Sequence, residues 1–337
     1  MWRVREDWNV TKIAVDAYGG DYAPEQIVEG ALRAADADGI SLILTGDEQR
    51  LKSLINGKAG SNRIEIVHAP EIIQMDESPV EAVRQKGESS LVKGAQLVRD
   101  GEASALVSAG NTGATLAASL FVIKRIKGVE RPAITSLMPT KTGVSLIVDA
   151  GANVDCRPSQ LMQFAQMGSI YAEQVLKVHR PRIGLLNIGH EPGKGNHAVQ
   201  EAYELLQHSS LNFVGNIEGR DISRGEIDVV VCDGFVGNIV LKFAEGLSET
   251  LFGMMKEEFT STFMTKLGAL LLKPGLRRIK NRVDYTEYGG APLLGVDGVV
   301  IIAHGGSNAK AIYNAIRVAK EGVNHDIVGA MGTQLAK

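Results

Sequence analysis

Ser104-Ala-Leu-Val-Ser-Ala-Gly-Asn-Thr-Gly-Ala114 decides the fold. Ser104 to Ser108 reads as a short buried strand, Ala109 to Gly113 as a tight small-residue turn, and Thr112 to Lys127 as the helix that follows. A strand with continuous apolar character is covered on both faces, which is how strands of a parallel sheet sit between two layers of helices. The same unit repeats outward in both directions. Lys12 to Asp16, Ile40 to Leu44, Ile64 to Val67 and Val144 to Asp149 read as strands. Arg182 to Ile188, Asn212 to Val214, Ile227 to Cys232 and Val299 to Ala303 continue the series. Helical stretches intervene: Pro24 suits a first turn before Ile27, Val28, Ala31 and Leu32, and Pro158 to Val178, Asn196 to His208 and Ser307 to Lys320 read alike. The expectation is an α/β protein, a doubly wound three-layer αβα fold with a mostly parallel sheet.

The chain has 337 residues, long for one domain but within reach of a large α/β sheet. No repeat or Pro/Ser-rich linker divides it, so residues 12–337 are read as a single catalytic domain and residues 1–11 as an N-terminal extension. Glycine occupies 38 positions, above the roughly 7% of ordinary proteins, so loops built from backbone are expected. A net charge of -3 gives no overall pull towards nucleic acid. Cys156 and Cys232 lack metal-ligand or CxxC spacing and read as reduced core thiols. The start of the chain mixes Arg3, Arg5, Glu6 and Asp7 with Trp2 and Trp8, unlike the apolar segment of an export signal. With no run of about 18 apolar residues, the expected location is cytoplasmic or peripheral to a membrane.

Four strands end in small-residue loops: Asp16-Ala-Tyr-Gly-Gly-Asp21, Ser108-Ala-Gly-Asn-Thr-Gly113, Asp149-Ala-Gly-Ala-Asn-Val-Asp155 and Asp233-Gly-Phe-Val-Gly-Asn238. In an open α/β sheet such loops gather at the carboxyl ends of the strands, where ligands bind. Glycine admits an anion close to backbone N–H groups, and a helix N-terminus adds partial positive charge. Each loop alone is more often a plain tight turn; four with Asn or Asp at the tip point to phosphate or a developing oxyanion. The candidate phosphate- and substrate-binding residues are Asp16, Gly19, Gly20, Asp21, Ser108, Gly110, Asn111, Thr112, Gly113, Asn153, Asn196, Asp233, Gly234 and Gly237.

Lys194 stands among glycines in Asn187-Ile-Gly-His-Glu-Pro-Gly-Lys-Gly-Asn196, just before a helix, where a compact cation can hold phosphate or a tetrahedral oxyanion. The alternative is a solvated loop lysine. Gly193 to Ala198 matches a dinucleotide fingerprint, but Gly189 to Pro192 separate it from the strand that such a fingerprint must follow. Gly189 to Lys194 is one residue short of a P-loop, with Gly195 where a magnesium-binding hydroxyl belongs. Neither GxSxG nor HExxH occurs, and no metal or cofactor site is expected. His304, after the last strand, is placed to protonate a leaving thiolate or to bind an acyl-phosphate oxygen, or equally only to fix its own loop.

In order and spacing these loops, with Ile13 to Asp21, Ser108 to Ala114, Gly151-Ala-Asn-Val-Asp155, Asp233 to Asn238 and Tyr288-Gly-Gly-Ala291, resemble the PlsX family of acyl carrier protein:phosphate acyltransferases, from about Lys12 to the end. Three features depart from the family pattern: residues 1–11 precede the usual start, Tyr18 replaces a common Met, and Gly306 stands where Ser is common. The resemblance implies a fold like isocitrate and isopropylmalate dehydrogenases, a homodimer, and an acyl phosphate product passed to a membrane glycerol-3-phosphate acyltransferase. Lys194, Asn238 and loop N–H groups would then hold phosphate during direct attack on the thioester, with His304 the third catalytic candidate. An acyl-coenzyme A phosphotransacylase and a non-catalytic membrane scaffold are the alternatives.

Between Leu247 and Arg282, Leu251, Met255, Phe259, Phe263, Leu267 and Leu271 recur every four residues. That stripe suits a helix packed in a dimer interface. Lys273-Pro-Gly275 reads as a turn after Leu270, Leu271 and Leu272, with Lys266, Lys273, Arg277, Arg278, Lys280 and Arg282 around it. An apolar tip with a basic flank suits an anionic membrane surface or an acidic carrier protein.

Overall fold

A computed structural model describes residues 12–283 and 288–335. The extension 1–11 and the side chains of Lys280 and Arg282 lie outside the described residues. The strands are β1 (Lys12–Asp16), β2 (Ser41–Gly46), β3 (Ile64–His68), β4 (Ala105–Ser108), β5 (Ala133–Pro139), β6 (Val144–Val148), β7 (Ile183–Leu186), β8 (Phe213–Ile217), β9 (Val229–Val231), β10 (Ala291–Leu294) and β11 (Val299–Ile302). The chain forms two compact units. One holds the chain to Thr135, Ile170–His179 and everything from Tyr288; the other holds Ser136–Ser169 and the chain from Arg180 through the long helices. Because the chain passes between them repeatedly, no linker marks the boundary.

In the first unit the strand order is β3-β2-β1-β4-β11-β10-β5. The five strands from β3 to β11 are parallel, and β10 runs antiparallel to both its neighbours. Ile13, Ala14 and Val15 of β1 are wholly buried, as continuous apolar character demands of a strand covered on both faces. Helix Glu25–Ala37 lies against Ala309–Asn324 at Gly30, where an added methyl group would come within 2.7 Å of the Ala309 carbonyl oxygen. The second unit carries β6-β9-β7-β8, all parallel. Its helix Pro158–Gln174 meets the sheet at Gly168, where a Cβ would stand 2.7 Å from Val229.

The mostly parallel α/β sheet with flanking helices agrees with the reading from sequence, and three details differ. Strands β5 and β10 are additional; Thr135 and Pro292 interrupt their apolar runs, and the Thr135 hydroxyl is satisfied by the Pro292 carbonyl at 3.0 Å. The helix from Thr112 ends as an α-helix at Ala118, continues as a π turn over Ser119–Ile123 and stops at Lys124 with φ of 79°. The turn expected at Lys273-Pro274-Gly275 is absent: Phe263–Val283 is one helix with Pro274 inside it. Proline removes one hydrogen bond, whose acceptor is the carbonyl of the exposed Leu270, so water can replace it. The chain breaks earlier, after helix Gly234–Thr260. There Thr262 caps the next helix by accepting from Thr265 N–H at 3.2 Å while its own N–H donates to the Thr265 hydroxyl at 3.0 Å, a reciprocal cap that starts a helix at Phe263. The stripe from Leu251 to Leu271 is therefore divided between two helices that pack on each other. No helix among the described residues is long and apolar enough to cross a membrane.

Candidate active site

In the first unit β1, β4 and β11 are adjacent and parallel, so the loops after Asp16, Ser108 and Ala303 leave one edge side by side. Asp16 organises them. Its carboxylate accepts from the Ser108 hydroxyl at 2.7 Å and from Tyr18 N–H at 3.3 Å, and it is 2% exposed. Burial pushes this carboxyl above its ordinary value, against the opposing hydrogen bonds of Ser90, Ser108 and the loop N–H groups. Gly19 is pressed between Asp16 and the N–H of Gly110, each 2.6 Å from the position of a Cβ. Gly20, at φ of 109°, lies under the Gly305 carbonyl, which accepts from Asp21 N–H at 2.9 Å. The His304 Nδ1 accepts from Gly306 N–H at 3.1 Å, so a neutral ring carries its proton on Nε2.

In the second unit β9 lies between β6 and β7, which sets the loops after Asp149, Asp233 and Asn187 next to one another. Asp149, missed as a site residue from sequence, is the hub. Its carboxylate accepts from the N–H groups of Gly151 (3.1 Å), Ala152 (3.0 Å) and Asn153 (2.7 Å), and from the Asn153 amide at 2.8 Å. An Asp followed by small residues and an Asn four positions on is the signal that would have found this turn. The loop is locked to the next helix by Gly234 N–H, which donates to the Asn153 carbonyl at 2.6 Å. A Cβ on Gly237 would run into the Asp149 carbonyl. Asn238, in the first turns of helix Gly234–Thr260, sets its exposed amide beside Gly151, 3.8 Å from the place of a Cβ there. Cys156 and Cys232 border this cluster. Burial and the Asp149 and Asp233 carboxylates push the Cys156 thiol up to about 12, so neither is poised as a nucleophile.

The loop from Asn187 to Asn196 presents Lys194. Its stem lies over Gly189, its carbonyl accepts from the Asn187 amide at 3.0 Å, and its N–H donates to the Glu191 carbonyl at 3.1 Å. Gly195, at φ of 90°, takes a left-handed turn against Asn187. Gln200 also holds the loop, donating to the carbonyls of Gly193 and Gly195. Lys194 is exposed, and the Glu191 carboxylate lies over Gly189 beside its stem.

Several polar tips identified from sequence prove to be helix caps. Asn111, Asn196 and Asp233 accept from the N–H groups of Ala114 (3.0 Å), Val199 (3.0 Å) and Val236 (2.8 Å). Their side-chain oxygens start helices and leave the other N-terminal N–H groups, with the positive end of the helix dipole, to face a ligand. The Asn111 amide also donates to Met75 O, and Gly113 rests against Pro79, with Thr112 exposed beside it. Leu267, Leu270, Leu271, Leu272, Lys273, Arg277 and Arg278 are all exposed on helix Phe263–Val283. Phe263 and Met264, at 79% and 73% exposure, open the second long helix just after the turn that follows Thr260. Among the described residues no three His, Cys, Asp or Glu side chains cluster as metal ligands do.

The family described as fatty acid synthesis protein matches residues 11–329. The phosphate acyltransferase of Pelotomaculum thermopropionicum is 55% identical over 317 residues, covering 94% of this chain and 93% of its own. That of Desulfitobacterium hafniense is 53% identical over 327 residues, covering 97% and 98%. A phosphotransacetylase from Streptococcus pyogenes has a similar fold, with a TM-score of 0.66, 20% identity and 94% of each chain covered. A 4-hydroxythreonine-4-phosphate dehydrogenase from Klebsiella pneumoniae follows at 0.54, with 13% identity and coverage of 93% and 99%. The ordered glycine and asparagine loops and the close relatives agree: the chain belongs to the PlsX family of phosphate acyltransferases, enzymes of fatty acid and phospholipid synthesis.

Proposed function

We propose that this acyltransferase moves a fatty acyl group from an acyl carrier protein to inorganic phosphate. A phosphate oxygen attacks the thioester carbonyl, the C–O bond forms, the tetrahedral intermediate collapses, and the C–S bond breaks to release the carrier thiolate, which takes up a proton. Phosphate is already an anion near neutral pH, so it needs orientation more than deprotonation. Lys194, Asn238 and the N–H groups at the start of helix Gly234–Thr260 hold phosphate and the oxyanion. His304, whose Nδ1 accepts from Gly306 N–H, is the third catalytic candidate. The observation that carries this reading is the second unit's cluster: a loop templated by Asp149, locked to a helix start, with the Asn238 amide beside it.

The enzyme works as a homodimer in the cytoplasm, peripherally attached to the inner face of the cell membrane, and passes acyl phosphate to a membrane glycerol-3-phosphate acyltransferase. The exposed Phe243, Leu247 and Leu251 suit contact with a second copy. Phe263 and Met264 just after the turn suit a lipid surface, and Lys266, Lys273, Arg277 and Arg278 suit anionic headgroups or the acidic carrier. Incubating pure protein and phosphate with palmitoyl carrier protein or palmitoyl-coenzyme A separates the donors. Acyl phosphate from the carrier at far lower donor concentration is expected; equal use of coenzyme A would make the chain a general phosphotransacylase.

A further inference from the structure

Asn216 has no part in the chemistry above, yet it grips the Lys194 loop at two points. It lies on β8 and is 4% exposed. Its backbone carbonyl faces His190 Nδ1 at 3.2 Å, and a carbonyl can only accept, so that nitrogen carries a proton. The other ring nitrogen faces Asp221 Oδ2 at 3.4 Å, a carboxylate held in turn by Arg224 at 2.6 Å. The Asn216 side-chain amide donates to the Glu191 carbonyl at 2.9 Å, and that same oxygen receives the Lys194 N–H at 3.1 Å. One shared acceptor thus joins a buried strand residue to the backbone of the exposed lysine.

The arrangement carries a cost that folding alone does not require. With its amide nitrogen turned to Glu191, the Asn216 Oδ1 is buried without a partner among the described residues, and buried polar groups left unsatisfied are uncommon and penalised. Flipping the amide would set two oxygens against each other. An apolar side chain would fill β8 without either conflict, but would release the loop.

We propose that Asn216 is a positioning residue, which through the Glu191 carbonyl sets where the Lys194 ammonium meets phosphate. This rests on the assignment of Lys194 to phosphate and oxyanion binding. A misplacement on the order of 1 Å can cost about a hundredfold in rate, and a lysine side chain inherits every shift of its own backbone. His190 and Asp221 brace the same loop from the other side.

The test is a double-mutant cycle on the full-length enzyme, assayed for acyl phosphate from palmitoyl carrier protein and phosphate. N216D keeps the shape but, ionised, cannot donate to Glu191. It should lower kcat about tenfold or more while KM for the carrier stays within about twofold, and in the K194A background the same change should cost less than about threefold. Should N216D not fold, H190L at an exposed ring removes the second tie, and its loss, about threefold or more, should likewise vanish without Lys194. Equal fold-losses in both backgrounds, or N216D with normal turnover, overturn the proposal. Near-normal turnover of K194A alone overturns the assignment of Lys194, and the positioning role with it.

Discussion

Gly234→Ala tests whether the Asp149 loop is held in place by the helix that follows it. Gly234 is the first residue of helix Gly234–Thr260 and does not need the left-handed region, so alanine is acceptable to its backbone. The obstacle is steric: the new methyl group would stand 2.7 Å from the Asn153 carbonyl oxygen and 2.8 Å from both the Asn153 nitrogen and Asp149 Oδ2. Ordinary contact begins near 3.4 Å, so loop and helix must part by about 0.7 Å. Overpacking of this kind costs about 1–3 kcal/mol, partly offset by the better helix propensity of alanine. The thermal midpoint should therefore fall by only a few degrees. The rate should suffer more, since a displacement on the order of 1 Å at a reacting centre costs up to about a hundredfold; a loss of about tenfold or more in kcat is expected. Gly219→Ala is the control, at the first position of another helix with open space around it. The comparison needs acyl phosphate formation under saturating donor, with melting curves for both variants. Gly234→Ala as active and as stable as Gly219→Ala would refute the packing and the preorganisation drawn from it.

Three further outcomes are expected. With the Cys156 thiol pushed up to about 12 by burial and the neighbouring carboxylates, its thiolate fraction at pH 8 is about a thousandfold below that of an ordinary cysteine; iodoacetamide labelling of its peptide within tenfold of the free thiol rate would contradict this. Burial raises Asp228, but hydrogen bonds from the Arg182 side chain and N–H outweigh it and hold the carboxyl below its ordinary value. Its stabilisation is thus complete above the unfolded value of about 3.9 and lost as pH falls through the lower folded value. Asp228→Asn should flatten the acid limb of the urea midpoint against pH, and an unchanged limb would remove the pair from acid unfolding. In flotation with anionic liposomes at low salt, Phe263→Glu, just after the turn, should lose more binding than Leu271→Glu, two turns along the helix, with both variants still dimeric. The reverse order would place the inserting residues elsewhere, and native protein that ignores anionic liposomes would end the anchor reading.

Continuous apolar runs made the parallel strands readable: Lys12 to Asp16 is β1 without adjustment. Strands β5 and β10 escaped because their fit depends on each other, with Thr135 satisfied only once Pro292 lies across from it. Proline punctuation misled at Pro274, where an exposed helix tolerates the missing bond, while the threonine pair at 262 and 265 set the true start. At the site, residue types revealed which loops matter but not the task of each side chain. Asn111, Asn196 and Asp233, read as binding residues, also cap helices. Asp149 left a readable signal, since its partners are the N–H groups of its own loop, whereas Asn216 was invisible as a positioning group because its partner is a backbone carbonyl of another loop, which residue patterns do not show.

Direct attack by phosphate is tested most simply by leaving phosphate out. Enzyme in stoichiometric amount is mixed with palmitoyl carrier protein in phosphate-free buffer, carrier thiol is followed over several turnover times, and phosphate is then added. We expect no thiol before the addition, and afterwards thiol and acyl phosphate in equal amounts. A burst of one thiol per active site before phosphate arrives would mean that the acyl group first rests on the enzyme, and continuous release would mean that water is the acceptor; either contradicts direct transfer.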